Sequence, residues 1–261
     1  MKREPLSVVI TTLDNEATLE RCLASVAFAD EIVVLDSGSV DRTRTIAADW
    51  RVRWFEEPFK GYGPQKQSAI DKATHRWVLL LDADEAIPEP CRHAIEAALL
   101  APKVAGYTLP RREQVFWRLQ HRAARHNPML RLIDRSRARL SADGIHAQPV
   151  ADGAIGAIAA PFEHYGEPDI ATKLDKINRY SSAVAADKHA RAVPLVWLRL
   201  LTQPPLQFLR SYLWKRRFLS GAAGFIAAVL DSVHVFLKYA KVIEHRQRER
   251  RRGSGSGPSD A

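Results

Sequence analysis

The sequence predicts an α/β fold, a mostly parallel sheet flanked by helices, with a C-terminal helical extension. Three observations predict it. Apolar strand-like runs alternate with helix-periodic segments through residues 7–82, which is the signature of parallel pairing with crossover helices. The run Trp77-Val78-Leu79-Leu80-Leu81 has no polar alternation, as expected of a strand buried on both faces. Beyond residue 168 the strand signals stop and apolar residues recur at helical spacing.

The elements follow in order. Ser7-Val8-Val9-Ile10-Thr11 is the first strand. Asp14 and Asn15 offer helix caps, and Leu19, Cys22, Leu23 and Val26 form one helical face behind them. Glu31-Ile32-Val33-Val34-Leu35 is the second strand, and it stops at the turn Asp36-Ser37-Gly38-Ser39. Asp41 leads into a helix through Thr43, Ile46 and Ala47. Val52-Arg53-Trp54-Phe55 is a short third strand, Gly61-Tyr62-Gly63-Pro64 a loop, and residues 65–73 a helix. In the last third, Ile170, Leu174, Ile177 and Val184 share a helical face. Pro204-Pro205 is expected to break the chain. The boundaries predicted are residues 1–168 for the catalytic domain, 169–244 for the helical region and 245–261 for a basic, disordered tail that turns Gly/Ser-rich from residue 253.

Length and composition fit one large domain with an appendage: 261 residues, 46% hydrophobic, 26% charged. Cys22 and Cys91 have neither metal nor redox spacing, which favours a reduced cytoplasmic setting. Lys2-Arg3-Glu4 leading to Pro5 and a short apolar run is not a signal-peptide pattern. No run reaches the ~18 apolar residues of a spanning helix; residues 222–240 come nearest and are interrupted by Asp231, His234 and Lys238. The formal charge of +9 is uneven, with nine arginines in residues 111–139 and six basic residues in 241–252. Such clusters suit nucleic acid, anionic lipid or phosphorylated substrates. They lie outside the half that carries the motifs below and match no nucleic-acid reader, so no nucleic-acid partner is expected.

Chemistry concentrates where strands end. In parallel sheets ligands bind beyond the carboxyl ends of the strands. Three polar sets stand there: Thr11, Thr12, Asp14 and Glu16; Asp36, Ser37 and Ser39; and Asp82 with Asp84. Asp82-Ala83-Asp84-Glu85 puts three carboxylates within four residues, and like charges that close repel. A divalent cation sharing its shell with substrate phosphates would resolve the conflict. A solvated acidic turn would fit the motif alone equally well; the convergence of three polar ends favours a site. Neither Gly-x-Gly-x-x-Gly nor Gly-x-x-x-x-Gly-Lys-Ser/Thr is present, which counts against a dinucleotide reader and a P-loop NTPase. A phosphatase with an aspartyl nucleophile would want Thr or Val where Ala86 stands, and it leaves Asp36 unexplained.

Taken together, these motifs resemble family 2 glycosyltransferases of the GT-A fold. They run Val8-Val9-Ile10-Thr11-Thr12 with Asp14-Asn15-Glu16, then Val34-Leu35-Asp36-Ser37-Gly38-Ser39 with Asp41-Arg42-Thr43, then Leu81-Asp82-Ala83-Asp84-Glu85. The likeness extends to the branch containing lipopolysaccharide core β-1,4-glucosyltransferases. It is carried there by Gly61-Tyr62-Gly63-Pro64-Gln65-Lys66, Arg131-Leu132-Ile133-Asp134-Arg135, His164-Tyr165 and the helices of residues 212–239. The resemblance implies an inverting transferase using a nucleotide-diphospho-sugar, most often a UDP-sugar such as UDP-glucose. The implied acceptor is the lipopolysaccharide core or another lipid-linked glycan. Thr11, Asp14 and Glu16 would line the nucleoside pocket, with Asp36, beside Ser37, on the base. Asp82 would meet the ribose or the metal, and Asp84 would hold Mg²⁺ or Mn²⁺ against the diphosphate, with Lys66 near the donor. By sequence alone Lys66 also fits a solvated helix position, and Arg131 fits either a surface arginine or a charge facing the acceptor or the diphosphate.

Two departures stand out. The branch carries His-Glu where this chain has His146-Ala147, and residues 111–127 differ from the usual pattern. A general base must take the acceptor proton. His146 and Asp143 are the nearest candidates, although Asp143-Gly144 also fits a tight turn and His146 a packed histidine. The missing Glu keeps open a catalytically silent or regulatory relative. Finally, Leu195, Trp197, Leu198, Phe208, Leu209, Tyr212, Leu213 and Trp214 interleave with Arg199, Arg210, Lys215, Arg216 and Arg217. Membrane interfaces select this mixture, as does a helical subdomain with its own core. The expectation is a peripheral protein on the inner face of the cytoplasmic membrane.

Overall fold

The computed structural model describes residues 2–141, 148–191 and 193–254. Their elements are β1 (Leu6–Thr12), α1 (Leu19–Ser25), β2 (Glu31–Asp36), α2 (Thr43–Ala48), β3 (Arg53–Glu56), α3 (Tyr62–Asp71), β4 (Trp77–Asp82), β5 (Glu85–Ala86) and α4 (Glu89–Ala98). There follow β6 (Gly106–Val115), β7 (Arg118–Leu119), β8 (Asn127–Asp134), β9 (Ala138–Leu140), β10 (Pro149–Ala151), β11 (Ile155–Ala157) and β12 (Phe162–His164). The described residues end with α5 (Ile170–Ala190), α6 (Val196–Leu209), a π turn (Arg210–Trp214), a 3₁₀ turn (Arg217–Ser220) and α7 (Gly221–Ser254). Met1–Glu113 with His126–Gly166 form one compact unit; Gln114–Arg125 with Glu167–Ala261 form a second.

In the first unit the sheet runs β3-β2-β1-β4-β8-β6-β12-β5. The four strands β3, β2, β1 and β4 are parallel, and β8 reverses the direction against β4. The period-2 alternation of strand side chains explains the packing. Leu6, Val8 and Ile10 face the layer that holds α1 and α4, where Leu19, Cys22, Leu23, Cys91 and Ile95 are buried. Val9, Val33, Leu35, Val78 and Leu80 face the other way, onto Ala69 and Ile70 of α3. Strands apolar on both sides therefore demand helices on both sides. Cys22 and Cys91 are free and buried, and burial pushes the Cys91 thiol up to about 12, so neither is set for redox chemistry.

Register places the chemistry. Thr12 pairs with Asp36 across β1 and β2, and Thr11 pairs with Asp82 across β1 and β4. The three polar ends are neighbours along one edge of the sheet. At the opposite edge Glu31 ties the strands together. It accepts the Thr74 N–H at 2.8 Å and bonds the Ser7 hydroxyl and the Arg53 guanidinium. Burial alone would raise its carboxyl, but these donors outweigh burial and bring it from 4.5 down to about 2. A folded-state pKa below the unfolded one stabilises above the unfolded value and loses that stabilisation as pH falls. Unfolding in urea should therefore become easier between about pH 4.5 and 2, by on the order of 2 kcal/mol from this residue. In Glu31→Gln that increment of pH dependence should vanish.

The second unit differs from expectation in four places. Pro204 and Pro205 lie inside α6 and do not break it. Pro204 is buried and its carbonyl accepts the Ser232 hydroxyl at 2.8 Å, so packing on α7 outweighs the lost backbone bond. In α5 the inward stripe is Ile177, Ser181 and Ala185, whereas Ile170 and Leu174 are exposed. Small residues one turn apart let another helix approach closely, and Ala185 packs with Val235, Tyr239 and Val242 of α7. The helix α7 continues through Ser254, past residue 244 where the tail was expected to begin; Arg248 pairs with Glu244 at 2.6 Å and His189 with Glu249 at 2.8 Å. One stretch, Arg217–Arg251, is also long and apolar enough to cross a membrane by length and composition, despite its three polar interruptions.

Candidate active site

The β1–α1 and β2–α2 loops are stitched to each other. The Asp14 N–H donates to the Ser39 hydroxyl at 2.9 Å, and Asp14 Oδ1 accepts the Val40 N–H at 2.8 Å. The Glu16 N–H donates to Asp41 at 3.0 Å, and Glu16 Oε2 accepts from Arg42 at 3.2 Å. Asp14 holds a left-handed backbone with φ of 51°, a strain that this stitching supports. Asp36 is buried, and both its oxygens serve its own turn: Oδ2 accepts the N–H groups of Gly38 and Ser39, and Oδ1 the Ser39 hydroxyl at 2.5 Å. Ser37 is half-buried, and its N–H donates to the Thr12 carbonyl at 3.0 Å. Thr11, Asp14, Glu16, Asp36 and Ser37 thus form one continuous wall, with Asp36 shaping it from behind.

The two aspartates of the acidic turn have different partners. Asp82, with 32% of its side chain exposed, meets Lys66 at 2.6 Å and Arg131 at 3.5 Å, and accepts from the Thr11 hydroxyl at 3.1 Å. Burial would raise its carboxyl; Lys66 and Arg131 hold it well below the usual carboxylate range. Lys66 is therefore no solvated helix residue. It is aimed by α3, which opens at Gly61 with φ of 100°, a conformation suited to glycine. Gln65 next to it is buried and braces the preceding loop, accepting from the Lys60 N–H and donating to the Glu57 carbonyl. Nor is Arg131 a surface arginine. It is 3% exposed and pairs at 2.6 Å with Glu85, itself 1% exposed, whose carboxylate also accepts the Asp82 N–H. Burial pushes the Glu85 carboxyl up to about 7, against the pull of Arg131.

Asp84 points elsewhere, to His164. His164 Nε2 lies 3.2 Å from Asp84 Oδ2, and Nδ1 lies 2.5 Å from Glu113 Oε2. Glu113 is fixed in turn by the Arg111 Nε at 2.7 Å. Burial would lower the imidazole, but hydrogen bonds to Asp84 and Glu113 carry it to about 10. The Tyr165 N–H donates to the Asp84 carbonyl at 2.7 Å, which holds the two segments side by side. A Cβ on Gly166 would stand 2.8 Å from the His164 ring and 3.1 Å from Asp84 Oδ2, so only glycine leaves this pair open.

These groups fit a divalent cation. Asp84 Oδ2 is a ready ligand, and His164 Nε2 beside it becomes one when a cation displaces the proton that Asp84 and Glu113 hold on the ring; a carboxylate on the second ring nitrogen is the support that metal-bound histidines use. Among the described residues no group of three or more His, Cys, Asp or Glu is arranged to hold a metal. An ion here would complete its shell with phosphate oxygens and water, as Mg²⁺ does. Asp82, already matched by two cations, is the poorer ligand of the pair named from sequence. Asp143 and His146 lie outside the described residues. Sequence reasoning assigned no role to His164, Glu113 or Arg111. His164 and Glu113 are 51 residues apart, and their meeting depends on the parallel pairing of β12 with β6.

Comparison with known proteins follows the same lines. A family model described as glycosyl transferase family 2 matches residues 7–165. The lipopolysaccharide core biosynthesis glycosyltransferase LpsC of Rhizobium meliloti (strain 1021) is 30% identical over 249 residues, covering 92% of each chain. An uncharacterized glycosyltransferase of Rickettsia felis is 27% identical over 258 residues, covering 92% of this chain and 90% of its own. Among solved structures, glucosyl-3-phosphoglycerate synthase from Mycobacterium tuberculosis, in complex with Mn²⁺, UDP and glucosyl-3-phosphoglycerate, is also similar. It is 25% identical over 42% of this chain and 44% of its own, with a TM-score of 0.36, too low to carry its ligands over.

Proposed function

Because this chain belongs to glycosyl transferase family 2, we propose that it is a metal-dependent, inverting hexosyltransferase. It would move a sugar, in our reading glucose, from a UDP-sugar to a lipopolysaccharide-core or other lipid-linked acceptor at the inner face of the cytoplasmic membrane. The mixed, mostly parallel sheet with flanking helices and a long C-terminal helix is the GT-A architecture that the motifs implied. The observation that carries the reading is the division of labour at the acidic turn: Asp82 is balanced by Lys66 and Arg131, whereas Asp84 faces His164 in a supported donor pair.

In the proposed reaction an acceptor hydroxyl oxygen bonds to the anomeric carbon from one side while the bond to the diphosphate breaks on the other. The nucleoside diphosphate leaves with the electron pair and the acceptor proton passes to a base. Asp84 and His164 would hold Mg²⁺ or Mn²⁺, which supplies neutralisation of the departing diphosphate. Thr11, Asp14, Glu16 and Ser37 would line the nucleoside, and Asp36, expected from sequence on the base, would instead hold the turn behind them. Asp82 would orient the ribose, and Lys66, 2.8 Å from Asp82 Oδ2, would add positive charge beside the leaving group. His146 or Asp143 would take the proton, an aid worth about 10²–10⁴-fold.

Calorimetry with UDP tests the donor half without knowledge of the acceptor. Binding with Mn²⁺ or Mg²⁺ that disappears in EDTA is the expected outcome. Absence of binding under either metal would favour a catalytically silent relative, for which the missing carboxylate at Ala147 already speaks.

A further inference from the structure

The second unit carries an apolar surface that its own core leaves uncovered. Trp197 is 63% exposed, Leu201 71% and Trp214 64%, and Leu198, Leu209, Leu213, Phe218, Phe225 and Val229 are exposed as well. On α6 and the π turn after it, Leu198, Leu201, Leu209 and Leu213 lie along one side. On α7 the positions are Phe225 and Val229. Ring contacts join the two rows: Phe208 lies 5.4 Å from Tyr212, and Phe225 lies 5.9 Å from Phe208 and 5.7 Å from Tyr212. These contacts tie α6 and α7 into one apolar and aromatic surface, and exposed apolar surface rimmed by polar residues marks a partner or membrane contact.

Its charge is one-sided. Residues 193–230 contain five Lys or Arg and no Asp or Glu. Arg217 turns inward, to Asp231 at 2.9 Å. Arg210 and Arg216 are exposed, and the Arg125 guanidinium stacks 4.2 Å from the Trp214 ring. Tryptophan beside arginine at the border of an apolar face is the composition of a bilayer interface, where rings sit at headgroup depth and cations meet anionic lipid. Nucleic acid would use the arginines but gain nothing from the exposed leucines.

The same unit shows why α7, despite its length, is not a span. Asp231 at its middle accepts from the Ser211 hydroxyl at 2.8 Å and pairs with Arg217 and, at 3.5 Å, with Lys173. Ser232 donates to the Pro204 carbonyl, and Val235, Tyr239 and Val242 are buried against Ala185 and Val196. Crossing the bilayer would strip these partners and leave a charge in hydrocarbon. We propose that the helical unit docks in the plane of an anionic bilayer through the outward face of α6 and the first turns of α7, with α7 remaining outside the hydrocarbon core. This docking deepens the membrane part of the proposed function and rests on it.

The test uses the full chain and vesicles of phosphatidylglycerol with phosphatidylethanolamine, against neutral phosphatidylcholine. Expected are co-sedimentation with the anionic vesicles, release by alkaline carbonate, and quenching of tryptophan fluorescence by shallow brominated lipids that falls in Trp197→Phe/Trp214→Phe. The surface variant Leu201→Glu/Leu213→Glu should bind UDP as the wild type does yet lose at least about tenfold in vesicle partitioning. Retention of both in that variant would overturn the docking face, and carbonate-resistant insertion would overturn the in-plane geometry. Wild type that binds UDP but ignores anionic vesicles, or prefers single-stranded RNA, would remove the membrane proposal and leave the transferase reading intact. Vesicle binding without UDP binding would do the reverse.

Discussion

Asp84→Ala is expected to abolish metal-dependent UDP binding and to lower kcat/KM for sugar transfer by about 10³-fold, or roughly 4 kcal/mol of transition-state stabilisation. The size follows from what Asp84 alone supplies. Its neighbour Asp82 is matched by Lys66 and Arg131, so it has no negative charge to spare for a cation. With Asp84 gone, His164 is the one remaining protein donor of the pair, and a diphosphate leaving group loses its counter-charge. Calorimetry with UDP and Mn²⁺ checks the binding loss, and circular dichroism checks that the fold survives. Glu113→Gln should be milder, about 10–100-fold in metal affinity, because it removes the support of the imidazole and not the ligand. Equal metal-dependent binding in wild type and Asp84→Ala would sink the assignment.

The second large effect concerns stability. Arg131→Met should cost about 3–5 kcal/mol, because it leaves the Glu85 carboxylate buried without its partner. Replacing both members, Arg131→Met with Glu85→Met, should cost clearly less than the single change, since an apolar pair has no charge to desolvate. Without Arg131 the Glu85 carboxyl rises further above its unfolded value. Its ionised form then opposes folding at pH 7, and the penalty shrinks as pH falls through the raised pKa. Urea titrations of the three proteins at pH 7.5 and 6.0 read both effects. Strictly additive losses would show that the pair does not act as a unit.

Placement explains why this pair was hidden from sequence. Arg131 lies on β8, which joins the sheet antiparallel to β4 and brings a charged residue beneath the acidic turn. Read along the chain, an arginine in a segment of nine arginines looks like surface. Its burial depends on two carboxylates delivered by the acidic turn, Asp82 at the end of β4 and Glu85 in β5, the latter 46 residues earlier. The pairing of Asp84 with His164 has the same origin, since β12 lies between β5 and β6 and so carries the ring between Asp84 and Glu113.

The local code was legible wherever one residue's neighbours in sequence were also its neighbours in space. Unbroken apolar runs required strands buried on both faces, alternating helical stripes required crossovers, and carboxylates at strand ends pointed to one edge of the sheet. Thr11, Asp14, Glu16, Asp36, Asp82 and Asp84 were singled out in this way, and parallel register sets Thr11 beside Asp82 and Thr12 beside Asp36. Long-range packing decided the rest. It kept α6 helical across Pro204 and Pro205 because α7 supplies the partner surface, and it chose Ile177, Ser181 and Ala185 over Leu174 as the face of α5. It also gave two look-alike aspartates different partners, Lys66 and Arg131 for Asp82 and His164 for Asp84. Sequence carries propensity and period; which buried charge meets which partner is set only when distant strands and helices close on one another, because the energies involved depend on burial and on distances of 2.6 to 3.5 Å.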